Sequence, residues 1–110
     1  MGLPLTIDRL RPKVELDVTG EIIKINLRTL DLAMIGDIFN PIDTLEVLLL
    51  GKNRIISVGK LPQTLKRLGL SNNLLTFIPK TVLDLPFLEV LNLDNNPLLK
   101  IPLILLSSNI

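Results

Sequence analysis

The chain has 110 residues, of which 47% are hydrophobic but only three are aromatic; twelve basic and eleven acidic side chains leave a formal charge of +1. That length suits one small domain with an aliphatic core, and the near-neutral balance argues against a dedicated nucleic-acid binder, whose footprint is strongly basic. Without cysteine, histidine, tyrosine or tryptophan, the chain lacks disulfides, thiolate metal sites and most general bases and nucleophiles.

At the N-terminus, Asp8, Arg9 and Arg11 interrupt any apolar stretch before it reaches signal-peptide length. No run approaches the roughly 18 apolar residues of a membrane span. Met1-Gly2 followed by Thr6 matches the short myristoylation pattern, which is brief enough to be met by chance. Pro4 and Pro12 break residues 1–13, where irregular chain is expected. Val14 to Val18 alternates as a strand should, and Thr19-Gly20 can turn the chain. Residues 1–21 therefore read as an N-terminal segment ending in a capping strand, which covers the edge of the strand that follows.

From Leu45 onward one pattern recurs three times. It runs Leu45-x-x-Leu48-x-Leu50-x-x-Asn53-x-Ile55-x-x-Val58, then from Leu65 to Ile78 with Asn73, then from Leu88 to Ile101 with Asn96. A degenerate copy precedes them, Ile22-x-x-Ile25-x-Leu27-x-x-Leu30-x-Leu32-x-x-Ile35, in which Leu30 stands where the others have Asn. This frame divides residues 22–110 into four units, about 22–44, 45–64, 65–87 and 88–110, and aligns Phe39 with Val82 and Ile42 with Leu85. Leu48-x-Leu50, Leu68-x-Leu70 and Leu91-x-Leu93 alternate with period two, so each pair points inward from a short strand and stacked units make a parallel sheet. The following Asn is a polar group headed for burial, tolerable only if its amide is hydrogen-bonded.

Between strands, Leu61-Pro62 leaves the shorter unit no room for a helix, so it should cross in extended form. Pro79 followed by Thr81 to Leu85 allows a turn or so of helix, with Thr81 and Asp84 as turn or capping residues. After Asn96-Pro97 the chain runs through Leu103, Ile104, Leu105 and Leu106 without a recognisable polar cap. The expectation is that a partner or self-association covers this end, or that the sequence is a fragment.

This pattern is the leucine-rich repeat signature, and the chain resembles the intracellular type of that family, with 20- and 23-residue units. The resemblance implies an α/β repeat solenoid: a short curved array with a parallel concave β-sheet and a convex side of extended, 3-10 or short helical segments. It also implies that the concave face docks other macromolecules, and that Asn53, Asn73 and Asn96 form a structural ladder bonded to the loop backbone of their own and neighbouring repeats.

The repeat sets the outward strand positions in columns: Lys24, Val47, Arg67, Val90; then Asn26, Leu49, Gly69, Asn92; then Arg28, Gly51, Ser71, Asp94. The first two columns are the candidate partner-binding residues, because Val47, Leu49 and Val90 place apolar side chains on a face that should be solvated. From Val47 to Leu83 the chain carries Lys52, Arg54, Lys60, Lys66, Arg67 and Lys80 without one acid, a block that suits an acidic partner although a solvated face explains it as well. Glu46 and Glu89 share a solvent-facing position two strands, or about 10 Å, apart with no supporting catalytic group, and Gly51-Lys52 is not a phosphate loop. No catalytic, metal or cofactor residue is therefore assigned, and enzyme activity is not expected.

The leading expectation is a non-catalytic interaction module or scaffold holding a protein partner. Two alternatives remain: the stretches Leu48 to Ile55, Leu61-Pro62 and Leu70 to Asn73 resemble the leucine-rich subunit of the spliceosomal small nuclear ribonucleoprotein, and a regulatory subunit could position an enzyme. In the ribonucleoprotein case nucleic acid is met only as part of a complex. With no cysteine and no N-x-S/T site, an intracellular location, cytoplasmic or nuclear, is expected.

Overall fold

The computed structural model describes residues 13–99. Gly2, Pro4, Pro12, Ile101 and the stretch from Leu103 to Leu106 lie outside the described residues, and so do the expectations attached to them. In chain order the described elements are β1 (Val14–Leu16), β2 (Ile22–Asn26), β3 (Met34–Ile35), β4 (Val47–Leu49), β5 (Ser57–Val58), β6 (Arg67–Gly69), the one-turn helix α1 (Lys80–Leu83) and β7 (Val90–Asn92). Five strands form one sheet in the order β1-β2-β4-β6-β7. β1 runs antiparallel to β2 and the others run parallel. β3 and β5 pair separately, with Met34 beside Ser57 and Ile35 beside Val58.

The parallel register is uniform. Ile25, Leu48, Leu68 and Leu91 stand side by side, and the first three are buried. Leu27, Leu50 and Leu70 join them two residues later, and Leu45, Ile55, Leu65 and Leu75 fill the same cluster. Phe39, Val82 and Leu85 close it from the connecting segments. Burying one such side chain contributes about 1.5–3 kcal/mol, so the aliphatic strand positions dominate the stability. At the β7 edge Leu88, Leu91, Leu93 and Leu98 are half-buried against this cluster.

β1 is shorter than its alternating sequence suggests, ending at Leu16 while Val18 is fully exposed. Asp17 ends it by turning its carboxylate onto the chain ahead: Oδ1 accepts from Thr19 Oγ1 at 2.6 Å, Thr19 N at 2.8 Å and Glu21 N at 3.0 Å. The Thr19 hydroxyl, then the backbone N–H groups of Glu21 and Thr19, hold the Asp17 pKa below the usual carboxylate value. A depressed carboxylate favours the folded turn when ionised, so the turn loosens as pH falls through that lowered pKa. Gly20 completes it with φ at 88°.

Each asparagine after a strand is a hub. Asn53 Oδ1 accepts from Leu30 N and Leu32 N, and its Nδ2 donates to the carbonyls of Leu27, Leu50 and Gly51. Asn73 accepts from Ile55 N and donates to Leu50, Leu70 and Ser71. Asn96 accepts from Leu75 N and donates to Leu70, Leu93 and Asp94. Every hub thus reaches its own loop and the loop one strand earlier. Leu30, standing in the same place before β3, supplies only its backbone N–H, to Asn53.

The residue before each hub position takes the left-handed conformation: φ is 61° at Thr29, 56° at Lys52, 57° at Asn72 and 59° at Asn95. Asparagine tolerates this region, whereas a β-branched threonine is strained there. Thr29→Asn should therefore stabilise the fold by about 1 kcal/mol, seen as a higher denaturant midpoint at unchanged slope. An unchanged midpoint would mean that the Thr29 backbone is not strained in solution.

Two threonines add a feature that the sequence pattern did not single out. Thr44 and Thr64, each one residue before an inward leucine, donate their hydroxyls at 2.6 Å to the carbonyls of Ile22 and Leu45 one unit back. In α1 the expected capping roles divide. Asp84 is the C-cap, but Thr81 makes no cap; Pro79 holds the N-cap position without a side-chain hydrogen bond, and the buried Thr81 Oγ1 has no partner among the described residues. Proline has no side-chain acceptor for the first-turn N–H groups, so this helix starts without a side-chain cap.

Candidate functional site: the outer face of the strand sheet

Side chains that alternate with the core leucines must leave the sheet on its other side. The register places Lys24, Val47, Arg67 and Val90 in one row, and Asn26, Leu49, Gly69 and Asn92 in the next. Main-chain bonds from Thr29, Lys52 and Asn72 to the carbonyls of Gly51, Ser71 and Asp94 bring Arg28, Gly51, Ser71 and Asp94 alongside in a third row.

Five of the eight candidate residues, Leu49, Arg67, Gly69, Val90 and Asn92, line one shallow cleft of about 160 Å³ together with Arg28, Leu68 and Ser71. Lys24, Asn26 and Val47 share the sheet face but stand outside that cleft. Gly69 makes room for Leu49: a Cβ on Gly69 would come within 3.3 Å of Leu49 Cδ2, so the leucine leans across the glycine. Gly51 does the same for Arg28, whose Nε would be 3.5 Å from a Cβ there, with Ser71 Oγ at 3.2 Å. Leu49 is consequently half-buried and held in place, whereas Val90 is 47% exposed.

The two asparagines are less available than their position suggests. Asn26 Oδ1 accepts from Arg28 N at 3.2 Å, and Asn92 Oδ1 accepts from Asp94 N at 3.0 Å. Each carbonyl oxygen accepts one bond from its own turn, which leaves its second lone pair and the amide NH2 to meet a ligand.

Three of the six residues of the basic block are paired in three dimensions. Arg54 pairs with Asp31 at 3.3 Å, Lys66 with Glu46 at 3.8 Å and Lys80 with Asp84 at 3.1 Å. Lys24, on the sheet face, pairs with Glu15 across β1 and β2 at 3.3 Å. The acids lie outside the counted stretch but one strand or one helical turn away in space. Among the described residues Lys52, Lys60, Arg67 and Arg28 make no ion pair; of these, Arg28 and Arg67 meet in the cleft.

A second, apolar cleft of about 270 Å³ lies away from the strand face, lined by Ile56, Ser57, Val58, Phe77, Pro79, Lys80 and Thr81. Phe77 is 67% exposed there, with exposed Ile56 beside it. Sequence reasoning passed over it because Ile56 and Phe77 fall between the specified pattern positions. Their signal was the excess of large apolar residues at positions where the pattern asks for none.

Among the described residues no three His, Cys, Asp or Glu side chains converge as a metal site, and no helix is long and apolar enough to cross a membrane. Compared with known proteins, the chain matches no protein-family model, no curated protein and no solved structure.

Proposed function

We propose that the chain is a non-catalytic leucine-rich repeat module, working inside the cell, that holds a protein partner on the outer face of its strand sheet. The observation that supports this reading best is the convergence of Leu49, Val90 and Arg67 on one cleft of that face. The centre of a protein contact is apolar and poor in charge, which suits Leu49 and Val90, and arginine is among the residues that carry binding energy there. The repeat spacing supports the family reading, and the ladder of Asn53, Asn73 and Asn96 is what such an array needs to satisfy its loops.

Leu49 lies at the middle of the face, so Leu49→Asp should weaken the partner by about 2 kcal/mol or more while leaving the core leucines in place. Affinity purification from a cell extract with the natural chain and with this variant, read by mass spectrometry, is the test. Proteins retained by the first and lost by the second are the partners. An enzyme among them makes the chain a regulatory subunit, and splicing proteins make it a ribonucleoprotein component. Equal recovery by both chains, with the variant folded by circular dichroism, would take binding off this face.

A further inference from the structure

The cleft on the strand face is chemically one-sided. Its polar lining consists of Arg28, Arg67, Ser71 and Asn92, and it includes no acid. Guanidinium groups only donate hydrogen bonds. Asn92 accepts from Asp94 N with its oxygen and has an NH2 that can donate to a ligand. Neither arginine is ion-paired among the described residues. Two cationic groups that only donate, with a hydroxyl and an amide beside them that can donate as well, call for an acceptor that carries negative charge and, beside Leu49 and Val90, has an apolar neighbour.

We propose that this cleft takes the carboxylate of an Asp or Glu side chain of a protein partner, set beside a small aliphatic residue that packs on Leu49 and Val90. The proposal rests on the strand face being the docking surface and names what it recognises. Arg28 is partly organised beforehand: Gly51 lets it lie across the sheet beside Ser71, so less side-chain freedom is lost when the pair forms. A planar carboxylate matches a guanidinium fork through two parallel hydrogen bonds.

A nucleic-acid backbone fits less well. No aromatic side chain lines the cleft for a base to stack on. Glu46 and Glu89 stand just before β4 and β7, and Asp94 follows Ser71 in its row. A polymer bearing a charge at every residue would run into these acids, whereas a single carboxylate would not.

Phage-displayed random peptides selected on the full chain test this, followed by titration of the best peptide, its Glu→Gln or Asp→Asn analogue, and oligouridylate. Selected peptides should share an acidic residue next to Val, Leu or Ala, and the amide analogue should bind about tenfold or more weakly. Arg28→Gln and Arg67→Gln should each erase most of that difference. Peptides with no common acid, an amide analogue that binds equally, a difference that survives both arginine variants, or tighter binding of oligouridylate would each overturn the proposal. Leu49→Asp separates the two levels of failure: if acid-free peptides lose binding in that variant, the face still docks proteins and only the carboxylate idea falls. If peptides bind that variant unchanged, the docking face itself is wrong.

Discussion

Asn53→Leu should cost the fold about 3 kcal/mol, the largest loss among the three asparagine hubs, because it leaves Leu30 N, Leu32 N and the Leu27 carbonyl without their partner. Two of those groups are only partly buried, which lets water recover some of the cost. Asn73→Leu should cost less, about 2 kcal/mol, although Asn73 makes four hydrogen bonds. The Leu50 carbonyl keeps Asn53, the Leu70 carbonyl keeps Asn96 and the Ser71 carbonyl keeps Lys52 N. Only Ile55 N is orphaned. Denaturant melts of both variants read the difference. Equal and small losses would mean that water replaces the side-chain amide in these loops.

The second large effect belongs to the core. Leu68 is 1% exposed and stands between Leu48 and Leu91 in the row that lines the interior. Leu68→Ala should destabilise by about 2–5 kcal/mol, through lost transfer energy and the cavity left behind. That is a large share of the ~5–15 kcal/mol typical of a domain. Leu49→Ala, one residue on, should cost about 1 kcal/mol or less, because only part of that side chain is buried, against Gly69. Thermal or denaturant melts of the pair check the inward and outward assignment directly. A loss at Leu49 comparable to that at Leu68 would mean that the two sides of the sheet have been confused.

What could be read in the sequence is whatever repeats with a period. Leu48 and Leu50, or Leu68 and Leu70, announce an inward side because alternation is visible within three residues, and the asparagine that follows announces a buried polar hub because its place is fixed relative to them. The repeat frame already sets Ile35 level with Val58, the pair that β3 and β5 make, but that these positions form strands was not legible, because two residues are too few to show a period. The left-handed positions were half legible, since Asn72 and Asn95 suit that conformation while Thr29 and Lys52 conceal it. The pairing of the basic block was not legible, because a count along the chain ignores the neighbouring unit, where Asp31 and Glu46 stand.

The candidate site shows the same division. Leu49, Arg67 and Val90 could be named from the repeat, but Arg28 and Ser71 could not be promoted from the third row, because nothing in the sequence says that Arg28 lies across Gly51. A cleft between two arginines far apart in the chain exists only through the register of β2, β4 and β6. The apolar cleft at Ile56 and Phe77 is the clearest rival surface, and any account of function must separate it from the strand face.

Methyl-resolved NMR of the full chain, titrated with a partner recovered by affinity purification, separates them most directly. Docking on the strand face predicts that the methyls of Val47, Leu49 and Val90 shift and broaden, while those of the neighbouring inward Leu48 and Leu68 move little. Shifts confined to Ile56 and Val58, with Leu49 and Val90 unmoved, would contradict docking on the strand face and move the partner to the other cleft.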